Sequence, residues 1–328
     1  MILSVKEGIS KYTINYGPIT QVCGQNIILK NYIVKSICKF FSTEKYADYE
    51  EKYLDNIEIN GKLPGRKQWE CAKFSIIEDY IMFLQIGKKS VLDKIIKAQL
   101  LEFESQKELY EIDNLLLNIF GRINKEIMAD GNIELQYKQE ELFSILTKAD
   151  VKICDGRDIH ELSQYELVNE VVNMIRKYQV KLPEKRMYVF ENIDHVLTIE
   201  QYRNIVEKCE KISNESSAYF FFTSSMQGYL YYSNESIENV NVVNDEIFSF
   251  DGDEHLKKFI NENYPISFSF SNNDLANILC SIIQYIGMNE SAIPLESQII
   301  LKMINDSMGI KSKWLRAHKN PELEFMHS

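Results

Sequence analysis

The 328-residue chain is poor in the features that announce a metal site, a hydrolase or a membrane span. Its six cysteines, Cys23, Cys38, Cys71, Cys154, Cys209 and Cys280, lie far apart and form no Cys-x-x-Cys pair. A zinc or disulfide framework therefore has no foothold, and reduced thiols packed as small core residues are the ordinary reading. Five histidines are equally scattered, with no His-Glu-x-x-His among them. No Gly-x-Ser-x-Gly elbow is present to expose a serine nucleophile. No run of about 18 uncharged apolar residues exists, so no membrane-spanning helix is expected. Lys6, Glu7 and Lys11 stand where a signal peptide needs apolar residues, which makes the cytoplasm the expected compartment. Positive charge is also in deficit: 37 Lys and Arg face 48 Asp and Glu, a net charge of −11. Spread evenly, that charge would repel nucleic acid and acidic lipid, so any polyanion must be held on a local basic face.

What is present is ample core material. Hydrophobic residues make up 45% and charged residues 26% of the chain, enough to bury one large core or two smaller ones. Residues 2–5 and 12–15 are short apolar/polar runs, and 18–23 predicts a further strand stopped by Gly24. From Asn26 the period lengthens to that of a helix carrying Ile27, Val34, Ile37 and Phe41. Further strands are expected at 57–59 and 68–77, around turns at Asn60-Gly61 and Leu63-Pro64-Gly65. Ser90, with Asp93 three residues on, predicts a helix start. Beyond it Ile112, Leu116, Ile119, Ile123 and Ile127 form one stripe, which predicts long helices packed as a hairpin or leg. Gly131-Asn132 is the expected turn, with a return stretch over 133–149.

The next block alternates helix and strand. Ser163 is the expected cap of a helix burying Leu167, Val171, Ile175 and Tyr178, and Pro183 precedes an apolar strand over 187–190. Thr198 and Gln201 form a capping box for a helix carrying Tyr202, Ile205, Cys209 and Ile212. Residues 218–222 and 240–250 supply further apolar strands. Such alternation predicts a buried parallel sheet to which both α/β blocks contribute. Two more helices follow, one with Leu275, Ile278, Leu279, Ile282 and Ile286, the other from Pro294 with Leu295, Ile299, Ile300 and Met303, closed by Gly309. The expected organisation is an α/β head over 1–89 and 151–250, a helical insertion over 90–150, and a helical C-terminal extension over 251–328.

The most informative stretch is Gly24-Gln25-Asn26-Ile27-Ile28-Leu29-Lys30-Asn31. A working phosphate loop reads Gly-x-x-x-x-Gly-Lys-Ser/Thr between a strand and a helix. Its glycines let backbone N–H groups curl around phosphate, its lysine meets the β/γ charge, and its hydroxyl binds magnesium. Here Gly24, Asn26 and Lys30 sit in the right strand-to-helix context, but Leu29 replaces the second glycine and Asn31 the hydroxyl. Downstream, Met187-Tyr188-Val189-Phe190-Glu191 resembles the strand whose acid would hold a metal-bound water, followed by Asn192-Ile193-Asp194. Phe220-Phe221-Phe222-Thr223-Ser224-Ser225 resembles its neighbour, with polar residues where a γ-phosphate would lie. The pattern reads as a degenerate P-loop NTPase-like head from which catalysis has been lost, and ATP is not an expected cofactor.

The strand entry Gly17-Pro18-Ile19-Thr20, the degenerate loop at 24–31, the long helical insertion and the strand over 189–194 together resemble the CRISPR-associated Csn-two family. These are ring-forming spacer-acquisition proteins of type II-A loci, and the extra C-terminal helices resemble the family's larger variant. The resemblance spans about residues 1–250. It implies a non-catalytic homotetramer that binds the ends of linear double-stranded DNA in a central hole, without reading sequence. It also implies work alongside the CRISPR integrase and the RNA-guided nuclease in antiviral defence. The smaller members use calcium to hold their helical legs. Asp130, Glu134 and Asp150 offer carboxylates near a leg hinge here, though without EF-hand spacing, and solvated surface acids are the plainer reading.

A ring reconciles DNA with the acidic total, because phosphate contacts need only one lining surface of Lys and Arg. Candidate contacts are Lys62, Arg66, Lys67, Lys88, Lys89, Arg122, Lys125, and the tail residues Lys311, Lys313 and Arg316. Each could equally be a solvated surface cation. Two other readings stay open: an active P-loop ATPase working on DNA, and a scaffold that only assembles other proteins.

Overall fold

The computed structural model describes residues 1–42, 45–87, 90–127, 134–138, 149–266, 270–288 and 294–310, with Glu322 and Phe325. The described residues fall into two compact units, 1–75 with 184 onward, and 76–183.

The first unit is α/β. Strands β1 (Ile2–Glu7), β2 (Ser10–Asn15) and β4 (Ile57–Ile59) form a small antiparallel sheet in the order β2-β1-β4. A second sheet runs β5-β6-β7-β3-β8-β9, built from β3 (Ile19–Cys23), β5 (Glu70–Phe74), β6 (Arg186–Phe190), β7 (Ala218–Thr223), β8 (Val240–Val243) and β9 (Ile247–Ser249). All its pairings are parallel except β8 with β9. Both α/β blocks of the sequence thus share one parallel-rich sheet, as the alternation predicts. Phe220, Phe221 and Phe222 on β7 are all buried, the mark of a strand covered on both faces. On one face Phe74, Phe190 and Phe222 stack across three strands, with ring centroids 4.9 and 5.1 Å apart.

Three differences from the sequence reading have local causes. The first strands do not join the main sheet, because β1 pairs β2 through a tight turn in which Gly8 has φ +60°. The single strand expected over 240–250 is a hairpin, broken where Asn244 donates its N–H to the Glu246 carbonyl. The strand expected over 68–77 stops at Phe74, since Asp79 accepts the Ile76 N–H and starts a helix.

Helix α1 (Ile27–Phe40) follows β3 and buries Ile33, Val34 and Ile37. Beyond β6, α6 (Ile199–Glu215) buries Tyr202, Ile205, Cys209 and Ile212. The C-terminal helices α7 (Asp253–Asn263), α8 (Asn272–Ile282) and α9 (Leu295–Ser307) share a buried cluster with Val240 and Val242 of β8, including Leu275, Leu279, Ile282, Ile299 and Ile300. They belong to the same compact unit as the sheet. Each fully buried aliphatic side chain contributes roughly 1.5–3 kcal/mol there.

The second unit contains α2 (Ile77–Leu84), α3 (Val91–Leu100), α4 (Phe103–Ile127) and α5 (Gln164–Lys181). Its limits are wider than the expected insertion because α2 and α5 pack together, Tyr80 and Leu84 being buried along with Leu167, Val171, Ile175 and Tyr178. Ser90 and Ser163 cap α3 and α5 as the sequence suggests. The stripe on α4 remains partly open, with Ile112, Ile119 and Ile123 about two-fifths exposed. The expected turn at Gly131-Asn132 and most of the return stretch lie outside the described residues. No helix among the described residues is long and apolar enough to cross a membrane.

Candidate functional site

The degenerate loop lies where β3 hands over to α1. Gly24 has φ +102°, and a Cβ added there would come within 2.3 Å of the Val243 carbonyl oxygen at the end of β8. Only glycine fits, for the conformation and for the close approach. Asn26 caps α1, its side-chain oxygen accepting the Leu29 N–H at 3.0 Å. The loop is then tied sideways rather than left open: the Gln25 N–H donates to Asn244 Oδ1 at 2.6 Å and the Asn26 amide to the Asn244 carbonyl at 2.9 Å. Asn244 in turn donates to the Gln284 and Ile286 carbonyls at 3.1 and 2.5 Å, anchoring the loop to the C-terminal helices.

Lys30 is buried, only 3% exposed. Its ammonium donates to the Gly24 carbonyl at 2.6 Å, the Ser224 carbonyl at 2.5 Å and Ser225 Oγ at 2.5 Å. An ammonium has three protons, and all three are placed on the protein's own oxygens. Burial lowers its pKa to about 8, against which the nearby Cys23 and Asp194 act. The same burial pushes the Cys23 thiol up to about 11. Asp194 accepts the Ser225 and Met226 N–H groups at 2.6 and 2.8 Å, while its Oδ1 is buried without a hydrogen-bond partner. Glu191, just past β6, accepts Lys73 Nζ at 3.1 Å and Ser75 Oγ at 2.6 Å.

Gly24, Asn26 and Lys30 follow β3, and Glu191 and Asp194 follow β6, with β7 between these parallel strands. All five therefore lie at the C-terminal edge of the sheet, where a nucleotide hydrolase would carry its site. Each is engaged in cross-links between loop ends. Leu29 is buried in the core cluster and fills the space a second glycine would free. Asn31 lines a cleft beside Tyr32 and Tyr53 on the outer side of α1. The partners Ser75 and Asn244 have no counterpart in the sequence analysis. Only the polar run after β7 hinted at Ser225, since these contacts join residues far apart in the chain.

The candidate DNA contacts divide. Lys62 and Lys67 are exposed in the first unit, and Arg122 and Lys125 are exposed on α4. Arg66 is held: its guanidinium donates to the Phe40 and Ser42 carbonyls at 3.2 and 2.8 Å and lies 4.6 Å from the Tyr46 ring centre. It closes the C-terminus of α1. Lys88, Lys89, Lys311, Lys313, Arg316 and Asp130 lie outside the described residues. Glu134 and Asp150 are exposed, and no group of three or more His, Cys, Asp or Glu side chains converges on a metal position among the described residues.

No protein-family model matches the chain, and no curated protein matches it by sequence. Among solved structures, Stu0660 of Streptococcus thermophilus superposes with a TM-score of 0.84 at 19% identity, covering 100% of this chain and 99% of that one. The chain has the fold of Stu0660. The likeness read from the sequence is thereby shown at the level of the fold. The Smc head domain bound to ScpA from Pyrococcus furiosus matches at a TM-score of 0.42 and 12% identity, over 80% of this chain and 98% of that one. The SMC head domain from Thermotoga maritima gives 0.36 and 11%, over 76% and 98%. Overlap that low supports no inference about this chain.

Proposed function

We propose that this chain is a CRISPR-associated protein of the Csn-two family, a non-catalytic ring that binds the ends of double-stranded DNA during spacer acquisition. The end-to-end superposition on Stu0660, itself a CRISPR protein of that family, carries the reading. The saturated Lys30 agrees with it: a triphosphate would have to displace three short hydrogen bonds to reach that ammonium. In the proposed ring, Lys62, Lys67, Arg122 and Lys125 are the exposed members of the candidate set, available to meet phosphate, and the acidic excess faces away from the DNA. Calcium and the integrase and nuclease partners are carried by the family likeness alone.

Light scattering of the purified chain, paired with duplex binding across a salt series, tests the assembly. The reading expects a tetramer whose affinity for linear duplex falls linearly in log–log form as salt rises. A monomer that hydrolyses ATP and ignores DNA would overturn it.

A further inference from the structure

A cleft of about 620 Å³ opens beside the C-terminal half of α1, within the size range of small-ligand sites. In a chain of net charge −11 it is anomalous, because Lys35, Lys39, Lys52 and Lys73 line it against one acid among the described lining residues, Glu50. Lys35 and Lys39 are one helical turn apart and share a face of α1, Lys52 comes from the 3-10 turn Asp48–Tyr53, and Lys73 from β5.

Two of the four cations are already balanced. Lys39 pairs with Glu50 at 2.8 Å and Lys73 with Glu191 at 3.1 Å. The other two are not. Lys35 is exposed and has no hydrogen bond or ion pair among the described residues, and Lys52 has only the Tyr53 ring, 5.2 Å below its ammonium. Beside them Tyr49 is 80% exposed, an aromatic face with no ring stacked on it among the described residues. Unbalanced ammonium groups next to an open aromatic ring suit a ligand that carries phosphate and a planar base.

We propose that this cleft binds a nucleotide phosphate, with Lys35 and Lys52 on the phosphate and Tyr49 on the base. The ligand is either a free nucleotide or the phosphorylated terminal nucleotide of a DNA strand. The site is separate from the loop at Lys30, and it needs neither a ring nor duplex DNA.

The test uses the full chain. ATP is titrated by calorimetry, and oligonucleotide duplexes with 5′-phosphate or 5′-hydroxyl ends are compared by anisotropy. Both are done on the wild type, on the Lys35→Glu/Lys52→Glu double variant, and on Lys211→Glu/Lys258→Glu, two exposed lysines on α6 and α7, as a charge-matched control. Cys38 lines the cleft, so ligand should also slow its alkylation, read by peptide mass mapping. The proposal expects the double variant to lose at least about tenfold in affinity while the control does not change. Loss of ATP binding identifies a free nucleotide; loss of the preference for a phosphorylated end identifies a DNA terminus. Absence of both ATP binding and an end preference in the wild type overturns the proposal. So does ATP binding that survives in the double variant but vanishes in Lys30→Met, which would place the nucleotide in the loop. Failure of DNA binding alone leaves the ATP arm standing, and so bears on the ring and not on the cleft.

Discussion

At Lys30 the residue type is that of a nucleotide site and the surroundings are those of a structural strut. Its three donors join the start of the loop to the end of β7, and Asp194 braces the same turn from the other side. Lys30→Met leaves two buried carbonyls and a hydroxyl without that donor, an expected loss of about 2–4 kcal/mol in urea unfolding. The sign of its pH dependence follows from a folded pKa of about 8 against the ordinary 10.5. Between those values the unfolded chain holds the proton and the folded chain does not, so wild-type stability rises with pH. Unfolding measured near pH 7 and near pH 10 should therefore show a wider gap between wild type and Lys30→Met at the higher pH. A gap that narrows would mean that the three acceptors hold the charge more strongly than burial opposes it.

At the scale of elements, what was legible in the sequence was what is local. Thr198 and Gln201 exchange the expected capping bonds at 3.4 and 3.0 Å, and Ser163 with Glu166 does the same at the start of α5. Gly24 and Lys30 were legible as a phosphate-loop remnant for the same reason. The seal on that loop was not, because Ser225 and Asn244 reach it from about two hundred residues away. Nor was α2, whose cap residue Ile76 offers no side-chain oxygen of its own. Arg66, a candidate DNA contact in the sequence, also donates to carbonyls at the end of α1, a contact that nothing nearby in sequence shows. Arg66→Ala should lower the thermal midpoint by an amount matching about 1–2 kcal/mol, measured by circular dichroism. Lys62→Ala and Lys67→Ala should leave it unchanged while each reduces the salt slope of DNA binding by about one. Equal midpoints for all three variants would contradict the assignment of Arg66 to the helix end.

At the scale of the molecule, the account joins a full-length fold to a charge that opposes it. A chain of net charge −11 can hold duplex only where its cations are segregated, and the proposed ring would supply that segregation by enclosing the DNA. Enclosure has a topological consequence that surface binding lacks. A closed ring can be threaded onto a free end but not onto a covalently closed circle. The decisive measurement is direct competition between linear duplex and relaxed closed circles of the same sequence, at low salt, against the purified chain. The account predicts that linear duplex is bound and that circles neither bind nor compete until they are cut once. Equal binding of intact circles and linear duplex would contradict it.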